Sequence, residues 1–177
     1  GASDMSKAAP FVVDMDSHVM EPPDLWNNYL EPKYRDRSIF IRVNKDGLEE
    51  LVVDNQVLLA GRLAVLGGVD HYAPELFMKP EIPYVEGCPK ASYDTEARVK
   101  LLDEWGVDAG VVFPTIGILW DKPEDPELAM AYARAYNNWQ WDFASPALVQ
   151  RSIISNASSS VSAFSSRYLV RNLKSML

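Results

Sequence analysis

Cysteine and histidine are nearly missing from this 177-residue chain, which has one cysteine, Cys88, and two histidines, His18 and His71. A single cysteine excludes an internal disulfide framework and fits a reducing compartment, so a cytoplasmic location is expected. No apolar run approaches the roughly 20 residues of a membrane-spanning helix, and no membrane partner is expected. Basic residues are in deficit, 17 against 25 acidic, and the net charge of -8 argues against a nucleic-acid partner, because phosphate binding calls for a basic surface. Residues 1–10 lack the apolar segment of a secretory signal. They are expected to comprise a cloning remnant followed by a flexible N-terminus, with Met5 the natural start. The remaining composition, 47% hydrophobic and 24% charged, is that of an ordinary globular domain with a sizeable core.

The chemistry is concentrated in residues 11–26, where an apolar run ends in a group of potential metal ligands. In an extended strand alternate residues share a face, so Asp14, Asp16 and His18 would project to one side and Val13 and Met15 to the other. A carboxylate and an imidazole suit zinc or a similar divalent ion, but a working site usually has three protein ligands and an open position for water. The same residues also read as an Asp that caps a turn and a His bonded within a loop, and spacing alone does not separate the two readings.

Further along, Asp24 precedes a short apolar-periodic segment and reads as a helix N-cap. Residues 39–43, the turn Asn44 to Gly47, and residues 51–53 and 56–60 predict a small antiparallel insert over about 39–60. The Gly- and Pro-rich stretch 61–87 reads as a long surface loop that carries His71. Asp94 to Gly106 gives the clearest helix pattern, with Val99, Leu102 and Trp105 in register and Gly106 as its stop. Residues 107–113 then read as a buried strand, followed by a loop that begins at Pro114 and Thr115; helix, turn and buried strand make one unit of a parallel α/β fold. Pro126 starts a further helix expected to run to about Phe143, with its terminal aromatic residues in the core.

Composition changes at Ala147. All 25 acidic residues and 13 of the 17 basic ones precede it, which leaves -12 on the body and +4 on a tail in which nine of 31 residues are serine. Val161, Phe164, Tyr168, Leu169 and Leu173 recur at helical spacing, so the tail 147–177 is expected to end in an amphipathic helix docked on the acidic body.

Three stretches, residues 14–26, residues 98–117 and Ala135-Tyr136-Asn137-Asn138-Trp139, resemble in order and spacing the N-terminal portion of the amidohydrolase-related (amidohydrolase 2) family. This is the branch of metal-dependent hydrolases that includes aminocarboxymuconate-semialdehyde-type decarboxylases. The resemblance implies an α/β fold, the N-terminal portion of a (β/α)8 TIM-type barrel, with 11–16 as first strand, 109–113 as second and the β-hairpin as an insert between them. The barrel-like body would cover 11–146. It further implies that Asp16 and His18 are paired ligands of a divalent metal, zinc or alternatively manganese, and that Glu21 either binds the metal or supports its ligands. Apart from the resemblance, the loop residues Pro114, Thr115 and Trp120 are candidates for substrate contacts, as is His71, which as a lone loop histidine also reads as simply solvated. The implied activity is hydrolysis of a small organic substrate by a metal-activated water, with non-oxidative decarboxylation as the alternative. The family's later histidines and its last-strand aspartate have no counterpart here, so the site is incomplete in this chain. The expected partners are a small-molecule substrate and a second copy or completing chain; a non-catalytic remnant domain is the other reading.

Overall fold

A computed structural model describes residues 10–68, 75, 79–119, 123–149 and 167–170. Strand β1 (Val13–Val19) pairs in parallel with β5 (Ala109–Pro114), and β6 (Arg167–Val170) lies antiparallel against the other edge of β5. A second sheet, in the order β2 (Phe40–Val43), β3 (Glu49–Val53), β4 (Gln56–Ala60), is the expected antiparallel insert. Helices α1 (Leu25–Tyr29), α2 (Thr95–Trp105) and α3 (Pro126–Val149) complete the regular structure.

The apolar sequence of β5 is buried almost throughout, as expected for a strand covered on both faces. Helix α2 is capped at both ends: the Asp94 side chain accepts from the Ala97 N–H at 2.8 Å, and Gly106 ends it in the left-handed region at φ 68°. Helix α3 begins where Asp125 accepts from the Glu127 N–H at 3.0 Å. Its residues Leu128, Ala131, Tyr132, Ala135, Tyr136, Trp139 and Phe143 form a buried stripe at helical spacing. That stripe packs on α1, where the rings of Trp26 and Tyr132 meet edge to face at 5.7 Å.

Several expectations need correction. Helix α3 continues to Val149 rather than ending near Phe143. Of its terminal aromatics, Trp139 and Phe143 are buried, but Trp141 is 45% exposed. Asp24 does not cap α1 with its side chain; that carboxylate accepts from the Asn28 amide at 3.0 Å. The stretch 61–87 is not merely a surface loop. Leu63–Gly67 is a 3-10 turn, and Leu63, Ala64 and Tyr84 belong to the core, because the apolar side chains between the glycines are buried despite the breakers around them. Residues 167–170 are extended where helical periodicity predicted a helix, since pairing with the open edge of β5 satisfies their backbone; the rest of that segment lies outside the described residues. Among the described residues no helix is long and apolar enough to cross a membrane.

Arg37 ties the insert to α3. Its guanidinium donates to both carboxylate oxygens of Asp54 at 2.6 and 2.8 Å and to Asp125 at 2.8 Å. The bonds from Arg37 hold both carboxyls below the usual carboxylate range, against the opposing effect of burial. With folded values depressed, this contribution is present above the unfolded carboxylate pKa of about 3.9 and lost as pH falls through the folded values. An Arg37→Met variant is therefore expected to melt below wild type at pH 7, with the gap narrowing below about pH 4. Thermal scans across pH read this directly, and a gap constant with pH would contradict it.

Candidate functional site

The two carboxylates of β1 do not share a face with one another. Asp14 pairs with Gly110 and Ser17 with Val112, so β1 spends one more residue than β5 between these pairs. This is a bulge, and it resets the alternation. Asp14 turns toward Ser17, whose hydroxyl donates to it at 2.5 Å, while Met15 and Asp16 are both exposed. Beyond the bulge Ser17 and Val19 are buried and His18 is exposed. Asp14 is thus parted from the expected group of three, and Asp16 and His18 stay together.

His18 is oriented by its backbone surroundings. Its Nδ1 lies 2.9 Å from the Pro114 carbonyl oxygen at the C-terminal end of β5. A carbonyl only accepts, so Nδ1 carries the proton and a neutral ring presents a lone pair at Nε2. That atom is 3.5 Å from Oδ1 of Asp16, and the side chains are 46% and 86% exposed. Two acceptors facing one another at this distance call for a proton or a cation between them. Ligands about 2.0–2.1 Å from a tetrahedral ion stand about 3.3–3.4 Å apart, close to the observed separation. A backbone carbonyl on the remote ring nitrogen is also the usual support of a metal-binding histidine. The pair therefore fits two positions of a metal site. Among the described residues no group of three or more His, Cys, Asp or Glu comes together, so the third position has no donor there.

Glu21 is fully buried, and its oxygens accept three consecutive backbone N–H groups, Thr115 at 2.9 Å, Ile116 at 2.9 Å and Gly117 at 3.0 Å. Burial pushes its carboxyl up, against the lowering effect of these bonds. Its carboxylate points into the loop after β5 and not toward the solvent side of His18. Tyr84 donates to the Glu21 carbonyl at 3.0 Å, and Met20 N–H donates to Ser92 at 2.8 Å, so the chain after β1 is held on several sides.

A cleft of about 340 Å³ opens beside His18, lined also by Met20, Leu66, Gly67, Ser92 and Thr115. Of the substrate-loop candidates, Pro114 supplies the carbonyl that orients His18, and Thr115 lines the cleft with its buried hydroxyl unpartnered. His71 and Trp120 lie outside the described residues. Sequence reasoning missed Ser92 and the 65–68 wall; the only local signal for the latter was the Gly67-Gly68 pair, which marked a break without saying what it faced.

No family model matches the chain, and no curated protein matches it. It is similar to the crystal structure of an amidohydrolase from Mycobacterium avium subsp. paratuberculosis K-10, with 17% identity and a TM-score of 0.50 over 77% of this chain. The fold is amidohydrolase-like. The match takes in 39% of the neighbour, so the chain spans well under half of that protein's length. Among the described residues β1 and β5 pair in parallel, and no closed barrel is formed.

Gly67 keeps the cleft wall close to the core: a Cβ there would lie 2.0 Å from Cys88 Sγ and 3.0 Å from Met20 Sδ. Cys88 is itself fixed, donating to the Ala64 carbonyl at 3.2 Å, with burial pushing its thiol up to about 12. Gly67→Ala is expected to cost about 1–3 kcal/mol by overpacking. Adding Cys88→Ala should restore part of that loss in urea unfolding.

Proposed function

We propose that this chain carries part of an amidohydrolase-like, metal-dependent hydrolase acting on a small organic substrate. Asp16 and His18 would hold a divalent cation, zinc or manganese, and the remaining ligands and the base would come from outside the described residues, through a second copy or a completing chain. When bound, such an ion acidifies a water or polarises a carbonyl. What supports this reading is one observation: the Nε2 lone pair of His18 and a carboxylate oxygen of Asp16 face each other at 3.5 Å at the end of a strand, with the other ring nitrogen bonded to a backbone carbonyl. Decarboxylation of a carboxylated substrate at the same site is the finer alternative within this reading.

A second reading, a non-catalytic remnant domain, is favoured by β6, which lies antiparallel along the edge of β5 where a barrel would set its next parallel strand.

Titration of the full chain with zinc and with manganese, followed calorimetrically, tests the first reading. Saturable binding is expected in wild type and its loss in Asp16→Ala and His18→Ala. Because Asp16 is largely exposed, its removal should change stability by no more than about 0.5 kcal/mol if the residue serves metal binding. No uptake by wild type, together with a clear stability loss in Asp16→Ala, would favour the remnant domain.

A further inference from the structure

The oxygens of Glu21 and the ring of His18 are linked by a single peptide unit. In the Pro114–Thr115 peptide the N–H donates to Glu21 Oε1 at 2.9 Å, and the C=O of the same unit accepts from His18 Nδ1 at 2.9 Å. A peptide is planar, and in the trans form, the only form among the described residues, its N–H and C=O point in opposite directions. Fixing one end therefore fixes the other. Glu21 fixes its end firmly, because it also holds the N–H groups of Ile116 and Gly117, and because the carboxylate is buried with no access to water. On the opposite side, β1 and β5 bring His18 level with Phe113 and Val19 level with Pro114, so the ring meets that carbonyl by strand register. Phe113 lies against the ring at 5.9 Å.

We propose that Glu21 is a positioning residue for His18: through the Pro114–Thr115 peptide it sets which ring nitrogen carries the proton and so leaves Nε2 free as an acceptor toward Asp16. This gives Glu21 a role distinct from metal ligation. Its carboxylate is spent on backbone donors, and its effect reaches the candidate site through one rigid plane.

The test uses the full chain without added metal, with the tautomer of His18 read by nitrogen NMR of the imidazole under conditions where the ring is neutral. Wild type should show the Nδ1–H form. Glu21→Met keeps the length of the side chain but removes both acceptor oxygens, so none of the three N–H bonds survives; a shift toward the Nε2–H form is expected. Glu21→Asp keeps the charge with a shorter reach and should shift part of the way, which decides the matter even if the Met variant does not fold. Leu51→Ala, a buried core change in β3 of the insert sheet, lowers stability without moving the tautomer and controls for destabilisation. Zinc affinity supplies a second readout that rests on Asp16 and His18 being ligands, with a loss of roughly 10- to 100-fold expected in the Met variant. Absence of zinc uptake by wild type would defeat the metal reading and leave the tautomer measurement standing. An unchanged His18 tautomer in a folded Glu21 variant whose Thr115 amide has lost its protection would overturn the proposal.

Discussion

The parallel pairing of β1 with β5, with one extra residue in β1, is the constraint on which the rest of the molecule depends. Without the bulge between Asp14 and Ser17, the alternation of the strand would carry Asp14, Asp16 and His18 to one face and Ser17 and Val19 to the other. With it, Asp14 is diverted to Ser17 at 2.5 Å, Val19 and Met20 enter the core, and Asp16 and His18 emerge together beside a cleft. The same register delivers His18 to the Pro114 carbonyl and brings Glu21 under the loop that follows β5. One local irregularity thus separates the polar residues of the strand into a bonded pair, Asp14 and Ser17, and an exposed pair, Asp16 and His18.

Around this pairing the chain closes a core from pieces far apart in sequence. Helix α3 covers the sheet and α1, and the insert is clasped to the start of α3 through Arg37 between Asp54 and Asp125. The 61–88 region is drawn inward by Leu63, Tyr84 and Cys88 and forms one wall of the cleft. Fixed surroundings of this kind suit a small polar pair, since a pair on mobile support would lose the alignment that coordination requires. Outside the cleft, Val13 at 41% and Met15 at 64% remain exposed on a strand at the edge of its sheet, where a completing chain would find apolar surface and open backbone groups.

Much of this was legible in the sequence because the signals were local. Asp94 and Gly106 marked α2 with a cap at each end, Asn44 to Gly47 marked the hairpin turn, and the run from Ala109 to Phe113 marked a doubly covered strand. Asp14, Asp16 and His18 stood out as a group for the same reason, and the pairing of Asp16 with His18 came only with the family resemblance. What was not legible depended on contacts between distant segments. The bulge leaves no trace in the composition of residues 13–19, and it alone decided that Asp14 would leave the group. The role of Glu21 rests on donors 94 to 96 residues away, and the burial of Tyr84 on a carbonyl 63 residues away. At 167–170 helical periodicity lost to an available sheet edge, a tertiary effect that local spacing does not encode.

The metal-dependent reading of this chain turns on whether the acceptor pair at the end of β1 holds a cation through the nitrogen that the Pro114 carbonyl leaves free. Crystals of the full chain grown with zinc, with data collected on both sides of the zinc absorption edge, decide this most directly. An anomalous peak is expected within bonding distance of both His18 Nε2 and an Asp16 carboxylate oxygen, with Nδ1 still on Pro114. A peak on Nδ1, or a His18 ring turned away from Pro114 with no ion beside Asp16, would contradict it.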